Sequence, residues 1–224
     1  MQNVIVILLF ITSISFGQEW TESKMTEACT NGNLQECANI GILREKQGQY
    51  KEAVYLYTNG CNAGVGSACH NLGRMYKLGK GVPKNLQKYI EYDEKACTYG
   101  SPNSCAALGN YYEYGEIVSK DVHKAFNYHL KACEYKVFGE CGAVAWFYKK
   151  GVGTNQDYKK AAKYYKIACN RNNKVACAGL AGLYYNGRGV KKNLNMSLFI
   201  FNKACNLGDK RSCKSRNIIR NSIQ

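Results

Sequence analysis

Six cysteine pairs place the strongest constraint on how this chain can fold. In every pair the two cysteines are separated by seven residues, and successive pairs are 32 residues apart once and 36 residues apart four times. A fixed period of about 20 to 50 residues is typical of a solenoid, in which each repeat packs only on its neighbours. The pairs are Cys29/Cys37, Cys61/Cys69, Cys97/Cys105, Cys133/Cys141, Cys169/Cys177 and Cys205/Cys213.

Each repeat carries the pattern of two helices, which we name A and B. Helix A begins near the second cysteine, and Cys69, Leu72, Gly73 and Tyr76 show the spacing of one helical face. The small residue at the fourth position allows a neighbouring helix to approach closely. A glycine ten residues after the cysteine ends helix A, and an Asn or Asp six residues further on caps helix B. These glycines are Gly79, Gly115, Gly151 and Gly187, and the caps are Asn85, Asp121, Asp157 and Asn193.

The patterns predict an all-α protein, built as an α/α solenoid of helix hairpins with a partial unit at each end. The first unit is four residues shorter, and its residues 43–57 look like the middle of a tetratricopeptide repeat. The predicted division is a signal peptide over 1–17, an N-terminal capping helix over 18–32, repeats over 33–64, 65–100, 101–136, 137–172 and 173–208, and a C-terminal capping helix over 209–224.

The first 17 residues have the character of a cleaved signal peptide. Val4–Ile11 is an unbroken apolar run, and Ser15 and Gly17 are small residues before a cut at Gln18. A membrane anchor is the alternative, but eight apolar residues are too few to cross a bilayer. Export to an oxidising compartment also agrees with twelve cysteines. We therefore expect a secreted or periplasmic protein with no membrane span after cleavage.

The cysteines are interpreted as structural disulfides that bridge the turn from each helix B to the next helix A. An antiparallel helix pair with a short turn brings such residues within disulfide range. Zinc sites favour two to four residues between cysteines, with supporting histidines, and thioredoxin-type catalysis requires Cys-x-x-Cys. The sequence contains no Cys-x-x-Cys. We expect six local bridges, no metal and no cofactor.

At this point the residues carry a resemblance to a known family. The unit that runs from Ala68-Cys69 through Leu72-Gly73 and Gly79 to Cys97 resembles a Sel1-like repeat. With the cysteine pairs added, the sequence is similar to the Helicobacter cysteine-rich proteins over about residues 25–215. The resemblance implies a right-handed superhelix, secreted or periplasmic, with penicillin binding, slow β-lactamase activity in some members and interaction with host cells. Ile117 and Ser197 depart from the pattern.

The sequence shows no recognisable catalytic constellation. A serine β-lactamase requires Ser-x-x-Lys and a Lys-Thr-Gly on a strand, and neither motif is present. His70, His123 and His129 are scattered, and we expect them to be surface or packing residues. No pair of acidic residues has a spacing that indicates acid–base catalysis. Whether the chain is an enzyme is therefore left open by the sequence. If it is one, the resemblance alone implies a weak β-lactamase, and its catalytic residues are unknown.

A monomeric binding scaffold is the function that we favour from the sequence. The A helices of related solenoids line a groove that holds extended peptides, and Tyr is enriched at interfaces. The partner is expected to be a peptide, a peptidoglycan-like fragment, a β-lactam or a host protein, and a passive envelope component is the remaining alternative. The candidate binding residues, for which plain surface polarity is the alternative, are Asn71, Asn110, Tyr111, Tyr114, Tyr185 and Asn186.

The net charge of +15 adds one further expectation about partners. Clusters such as Lys149-Lys150 and Lys191-Lys192 lie near loops and helix starts, where they form either a solvated basic rim or a surface that attracts acidic partners. No nucleic-acid-binding module is recognisable, so no nucleic acid is expected as a partner.

Overall fold

The computed structural model describes residues 29, 31 and 34–223. These residues form eleven α-helices and no strand. The predicted signal peptide and nearly all of the predicted N-terminal capping helix lie outside the described residues. The helices are α1 (Leu34–Lys46), α2 (Tyr50–Asn62), α3 (Gly66–Leu78), α4 (Leu86–Thr98), α5 (Pro102–Tyr114), α6 (Val122–Glu134), α7 (Glu140–Lys150), α8 (Tyr158–Asn170), α9 (Lys174–Asn186), α10 (Leu194–Asn206) and α11 (Lys210–Ile223).

The helices alternate between the two predicted types and stack as an all-α repeat solenoid. Odd-numbered helices are A helices and even-numbered helices are B helices, and each packs mainly on the helices before and after it in the chain. Successive A helices also meet directly, α1 with α3 and α7 with α9, whereas no two successive B helices make a comparable contact in the described chain. We call the face formed by the A helices the inner surface.

The turn from helix A to helix B is formed by the residues that the sequence predicts. Gly79, Gly115, Gly151 and Gly187 follow their helices in the left-handed conformation, with φ between 68° and 76°. The Asn or Asp before α4, α6, α8 and α10 accepts hydrogen bonds from free backbone N–H groups of the first turn, whereas Gln49 before α2 makes no side-chain cap. One example is Asp121, whose carboxylate accepts from the N–H groups of His123 and Lys124, both at 3.0 Å.

The turn from helix B to the next helix A is closed by a disulfide in every case. The six bridges join Cys29–Cys37, Cys61–Cys69, Cys97–Cys105, Cys133–Cys141, Cys169–Cys177 and Cys205–Cys213, with Cα–Cα distances of 4.5 to 4.9 Å. These are the pairs expected from the spacing. In the five bridges from Cys61–Cys69 onward, the first cysteine lies near the end of helix B and the second in the first turn of helix A, so each of these bridges fixes one helix end against the next.

Stacked tyrosines recur between the helices of a repeat. Three pairs have nearly parallel rings with centroids 5.5 to 5.7 Å apart, and each pair joins helix A to helix B. In the middle pair both hydroxyls donate to the Glu94 carboxylate on the preceding helix B, at 2.9 Å from Tyr112 and 3.2 Å from Tyr128. Burial, together with this bond, raises the pKa of Tyr112 to about 12. The pairs are Tyr76/Tyr92, Tyr112/Tyr128 and Tyr148/Tyr164.

The second glycine of three A-to-B loops joins neighbouring repeats. Gly81, Gly153 and Gly189 have φ between 66° and 71° and lie against the first residue of the preceding helix B. A side chain at Gly153 would overlap the carbonyl oxygen of Val122. The corresponding position in the α5–α6 loop is Ile117, which is half-buried against the core. The departure at Ile117 therefore leaves the solenoid intact.

We expect Gly153→Ala to destabilise the protein more than Gly100→Ala. Both positions have positive φ, which costs an L-residue about 1–2 kcal/mol, but an added Cβ at Gly100 meets nothing within 4 Å. The clash with Val122 should cost roughly 1–3 kcal/mol more. Chemical denaturation of both variants measures the difference. Equal losses in the free energy of unfolding would contradict the close contact between repeats.

Candidate functional site

A polar pocket opens on the inner surface between α5 and α7. Its volume is about 350 Å³, and α6 contributes His129 at its base. Two exposed aromatic side chains stand at its rim, Tyr114 with 64% and Trp146 with 40% of their surface accessible. The lining residues are Asn110, Glu113, Tyr114, His129, Gly139, Glu140, Ala143, Trp146 and Phe147.

His129 is buried between two carboxylates in this pocket. Its Nδ1 lies 2.5 Å from Glu140 Oε2 and its Nε2 lies 3.1 Å from Glu113 Oε2, while only 1% of its side chain is exposed. Since a neutral imidazole donates from one nitrogen only, two such bonds require either an imidazolium between two carboxylates or one protonated carboxyl group. The three groups together carry one negative charge in both cases. Gly109 makes room for the ring, because an added Cβ would lie 2.7 Å from it.

A second pocket lies on the same surface between α9 and α11, with a volume of about 300 Å³. Each of its lining residues lies 72 positions after a residue of the first pocket, so the two occupy the same place in the repeat. Phe201 replaces His129, Ile218 replaces Trp146 and Tyr185 replaces Glu113, which makes this pocket largely apolar. The lining residues are Gly182, Tyr185, Asn186, Phe201, Ser215, Ile218 and Ile219.

The equivalent place between α7 and α9 has side chains of a third kind, neither acidic nor purely apolar. Tyr165 is buried there against Gly179, where an added Cβ would lie 2.6 Å from the ring. Lys149 stands at the position of Glu113. Burial lowers the pKa of Lys149, and the neighbouring charges of Lys150 and Arg188 lower it further. The base of this part of the surface is therefore a buried phenol ring beside a lysine, instead of an imidazole beside a glutamate.

Four of the six predicted binding residues line the two pockets. Asn110 and Tyr114 belong to the polar pocket, and Tyr185 and Asn186 belong to the apolar pocket. Asn71 lines neither, although it holds the position that Ala143 and Ser215 occupy in them. It is half-buried on α3.

Tyr111 does not face outward as we expected. Its side chain is half-buried. The hydroxyl lies 3.0 Å from the Tyr89 hydroxyl and accepts a hydrogen bond from Lys77 Nζ at 3.1 Å. The reason lies in its register, because the same position in other repeats holds the buried residues Met75, Phe147 and Leu183. Tyr111 is therefore a packing residue whose hydroxyl is already bound.

The residues that sequence reasoning missed are Glu113, His129 and Glu140. The three lie on different helices, and His129 is 16 residues from Glu113 and 11 from Glu140. No spacing rule for a single helix or loop brings them together. The one signal in the sequence was the position of His129, four residues before a cysteine. Three other repeats have an aromatic residue at this position.

A second polar cluster joins α3, α4 and α5, but its geometry does not match a nucleophilic triad. The Asp93 carboxylate and the Ser104 hydroxyl both lie 2.9 Å from the same nitrogen of His70, Nδ1, and Ser104 also donates to Asp93 at 2.8 Å. In a catalytic triad the serine and the carboxylate meet opposite nitrogens of the ring. Ser104 and Asp93 have no exposed surface. In the described chain no group of three potential ligands is arranged to hold a metal ion.

Comparison with known proteins shows to which family the repeats belong. The sequence profile of the Sel1 repeat matches residues 66–98, 102–134, 141–173 and 174–209. The chain belongs to the Sel1 repeat family. The described residues include no helix long and apolar enough to cross a membrane.

Two relatives from Helicobacter pylori share the cysteine-rich character. Over 82 residues the chain is 34% identical to the protein of strain J99 named "Putative beta-lactamase HcpD", a match that covers 37% of this chain and 24% of HcpD. It is 34% identical to cysteine rich protein B over 58% of this chain and 94% of that protein, with a TM-score of 0.45. The four matched Sel1 repeats and the six disulfides make the chain a cysteine-rich Sel1 repeat protein.

A third comparison supports the fold. The structure of c5321, a protective antigen of uropathogenic Escherichia coli with an SLR fold, has a TM-score of 0.68 and 24% identity, covering 88% of this chain and 43% of c5321. The chain thus spans about a quarter of HcpD and less than half of c5321. Within the Sel1 repeats of this chain, the polar pocket joins the second and third matched repeats.

Proposed function

We propose that this protein is an exported scaffold that binds an extended peptide segment of a partner protein along its inner surface. Solenoids of Sel1 repeats are protein-interaction scaffolds. The observation that carries the proposal is the pair of pockets at equivalent positions two repeats apart, because one extended chain can place a side chain in each. Tyr114, Trp146 and Tyr185 at the rims are of the residue types enriched at protein interfaces.

Export is the second part of the proposal. Disulfides persist in oxidising compartments and are rare in the cytosol, so the six bridges support a location in the periplasm or outside the cell. A peptide of a host protein is the partner that we favour for such a location. A peptidoglycan-like fragment is the alternative occupant of the same surface.

Photo-crosslinking tests the surface directly. We expect p-benzoylphenylalanine at position 114 or 185 to crosslink the same partner protein, and a peptide from that partner to compete. Tyr55 on α2 is the matched control, since it is 67% exposed but lies on a B helix. Equal crosslinking from position 55, or different partners at 114 and 185, would contradict binding along the inner surface.

The distribution of charge supports attraction to acidic surfaces as a separate property. Residues 1–140 contain 14 basic and 14 acidic side chains, whereas residues 141–224 contain 17 basic and 2 acidic ones. The whole net charge of +15 therefore lies in the last part of the chain. A field of one sign over several repeats increases the rate at which polyanions associate.

Chromatography on heparin, a sulfated glycan, distinguishes this region from the rest. We expect Lys192→Glu to elute at a lower salt concentration than Lys84→Glu. Both side chains are exposed, and each lies beside the glycine that ends an A helix, so the two substitutions change net charge equally at equivalent loop positions. Identical elution of the two variants would show that only total charge matters.

Hydrolysis of β-lactams is the alternative that the resemblance implies, and the name of HcpD supports it. The buried Ser104 and the shared nitrogen of His70 give it no nucleophile. We therefore expect purified protein to hydrolyse a chromogenic cephalosporin no faster than buffer does. A rate above buffer that persists through purification and is lost in His70→Ala would instead assign catalysis to the His70 cluster.

A further inference from the structure

We propose that the pocket between α5 and α7 binds a lysine or arginine side chain of the bound peptide. The inference rests on the proposed function, because it specifies which chemical group the inner surface selects. The polar pocket and the apolar pocket occupy the same place in the repeat, so their differences in lining determine what each accepts.

The sign of the charge follows from the His129 group. Glu113, His129 and Glu140 carry one net negative charge whichever of the three holds the shared proton. No other ionisable residue lines the pocket apart from Tyr114. A cation entering the pocket is therefore attracted, whereas a carboxylate is repelled.

The carboxylates retain free acceptors for this cation. His129 contacts only the Oε2 atom of each glutamate, and within the described chain neither Oε1 atom has a hydrogen-bond partner. Both side chains are partly accessible, Glu113 to 25% and Glu140 to 21%. An ammonium or guanidinium group has several N–H donors and can donate to both Oε1 atoms without breaking the hydrogen bonds to His129.

The rim is suited to the rest of such a side chain. Trp146 is 40% exposed and packs edge-on against Phe147, with ring centroids 5.3 Å apart and planes at 86°. A cation near an exposed indole or phenol face gains about 0.5–1 kcal/mol, and the methylene groups of Lys or Arg pack on the same rings. The apolar pocket also has aromatic side chains, Tyr185 and Phe201, but it lacks the negative charge of the His129 group.

The positive charge of the chain does not oppose this selection. None of the 17 basic residues after position 140 lines the pocket, and charges beyond the Debye length of about 8 Å at physiological salt are largely screened. Lys149 and Lys150 are nearer, because they lie one turn after Trp146 on α7. The groups in contact with the ligand decide the local preference. Lys149, one repeat further along, holds the position of Glu113 and marks where that preference reverses.

A comparison of two nearly isosteric probes tests the inference without altering the protein. We expect N-acetyl-arginine amide to shift the indole NMR signal of Trp146, assigned by Trp146→Phe, and N-acetyl-citrulline amide to bind at least tenfold more weakly. The difference should shrink as salt concentration rises. Equal binding of the two probes, or no perturbation of Trp146 by the arginine probe, would overturn the proposal.

Selection from a random peptide library separates this inference from the proposed function. The wild type should enrich peptides with a basic residue, and Glu113→Gln/Glu140→Gln should lose that preference while still selecting apolar residues. Ile218→Ala is the control and should retain the basic preference. Enriched peptides without Lys or Arg would refute the cationic pocket alone, whereas no enrichment at all would refute peptide binding.

Discussion

The disulfide between each helix B and the following helix A is the constraint on which the rest of the solenoid depends. Each bridge holds two helix ends with Cα atoms less than 5 Å apart, and a closed loop of nine residues contributes roughly 2.5 kcal/mol by the chain-entropy relation. Because the same bridge recurs, residues 36 positions apart meet equivalent neighbours. The two pockets are the direct result of that repetition.

Fixed register allows chemistry to vary without changing the fold. The position four residues before the first cysteine of a pair is buried in the first four repeats, yet its residue varies: it is Tyr in the first and fourth repeats, Asp in the second and His in the third. Where it is large, a glycine of a neighbouring helix A accommodates it: Gly41 faces Tyr57, Gly109 faces His129 and Gly179 faces Tyr165. The residues at this position are Tyr57, Asp93, His129, Tyr165 and Phe201.

The sequence was sufficient to predict the helices and turns because local interactions determine them. A left-handed glycine such as Gly151 and a cap such as Asp157 act within one turn of chain, so their identity is visible in a single repeat. Asn110, Tyr114, Tyr185 and Asn186, four of the candidate binding residues, line the pockets, and their role in binding stays a prediction. Tyr111 was misplaced as a binding residue, because it holds the position in the repeat at which Met75 and Phe147 are buried.

The His129 group was beyond such reasoning because it depends on three helices at once. Glu113 belongs to one repeat, Glu140 begins the next, and the ring that links them comes from the helix between. The bridge from Cys133 to Cys141 joins the helix of His129 to that of Glu140, and the packing of α5 on α6 brings Glu113 to the other side of the ring. Comparison across repeats would have identified the position as a place of variation, but not its partners.

Local selection and long-range attraction are carried by different parts of the chain. The first 140 residues are electrically neutral overall, while the remainder carries +15. Along the inner surface, however, one position changes from Glu113 to Lys149 to Tyr185 in successive repeats. In the proposed complex, a peptide with a basic residue beside Glu113 and an acidic residue beside Lys149 would fit in one direction only. Under that proposal the net charge of the last part of the chain would act at a distance, and the residues of the inner surface would set the orientation at contact.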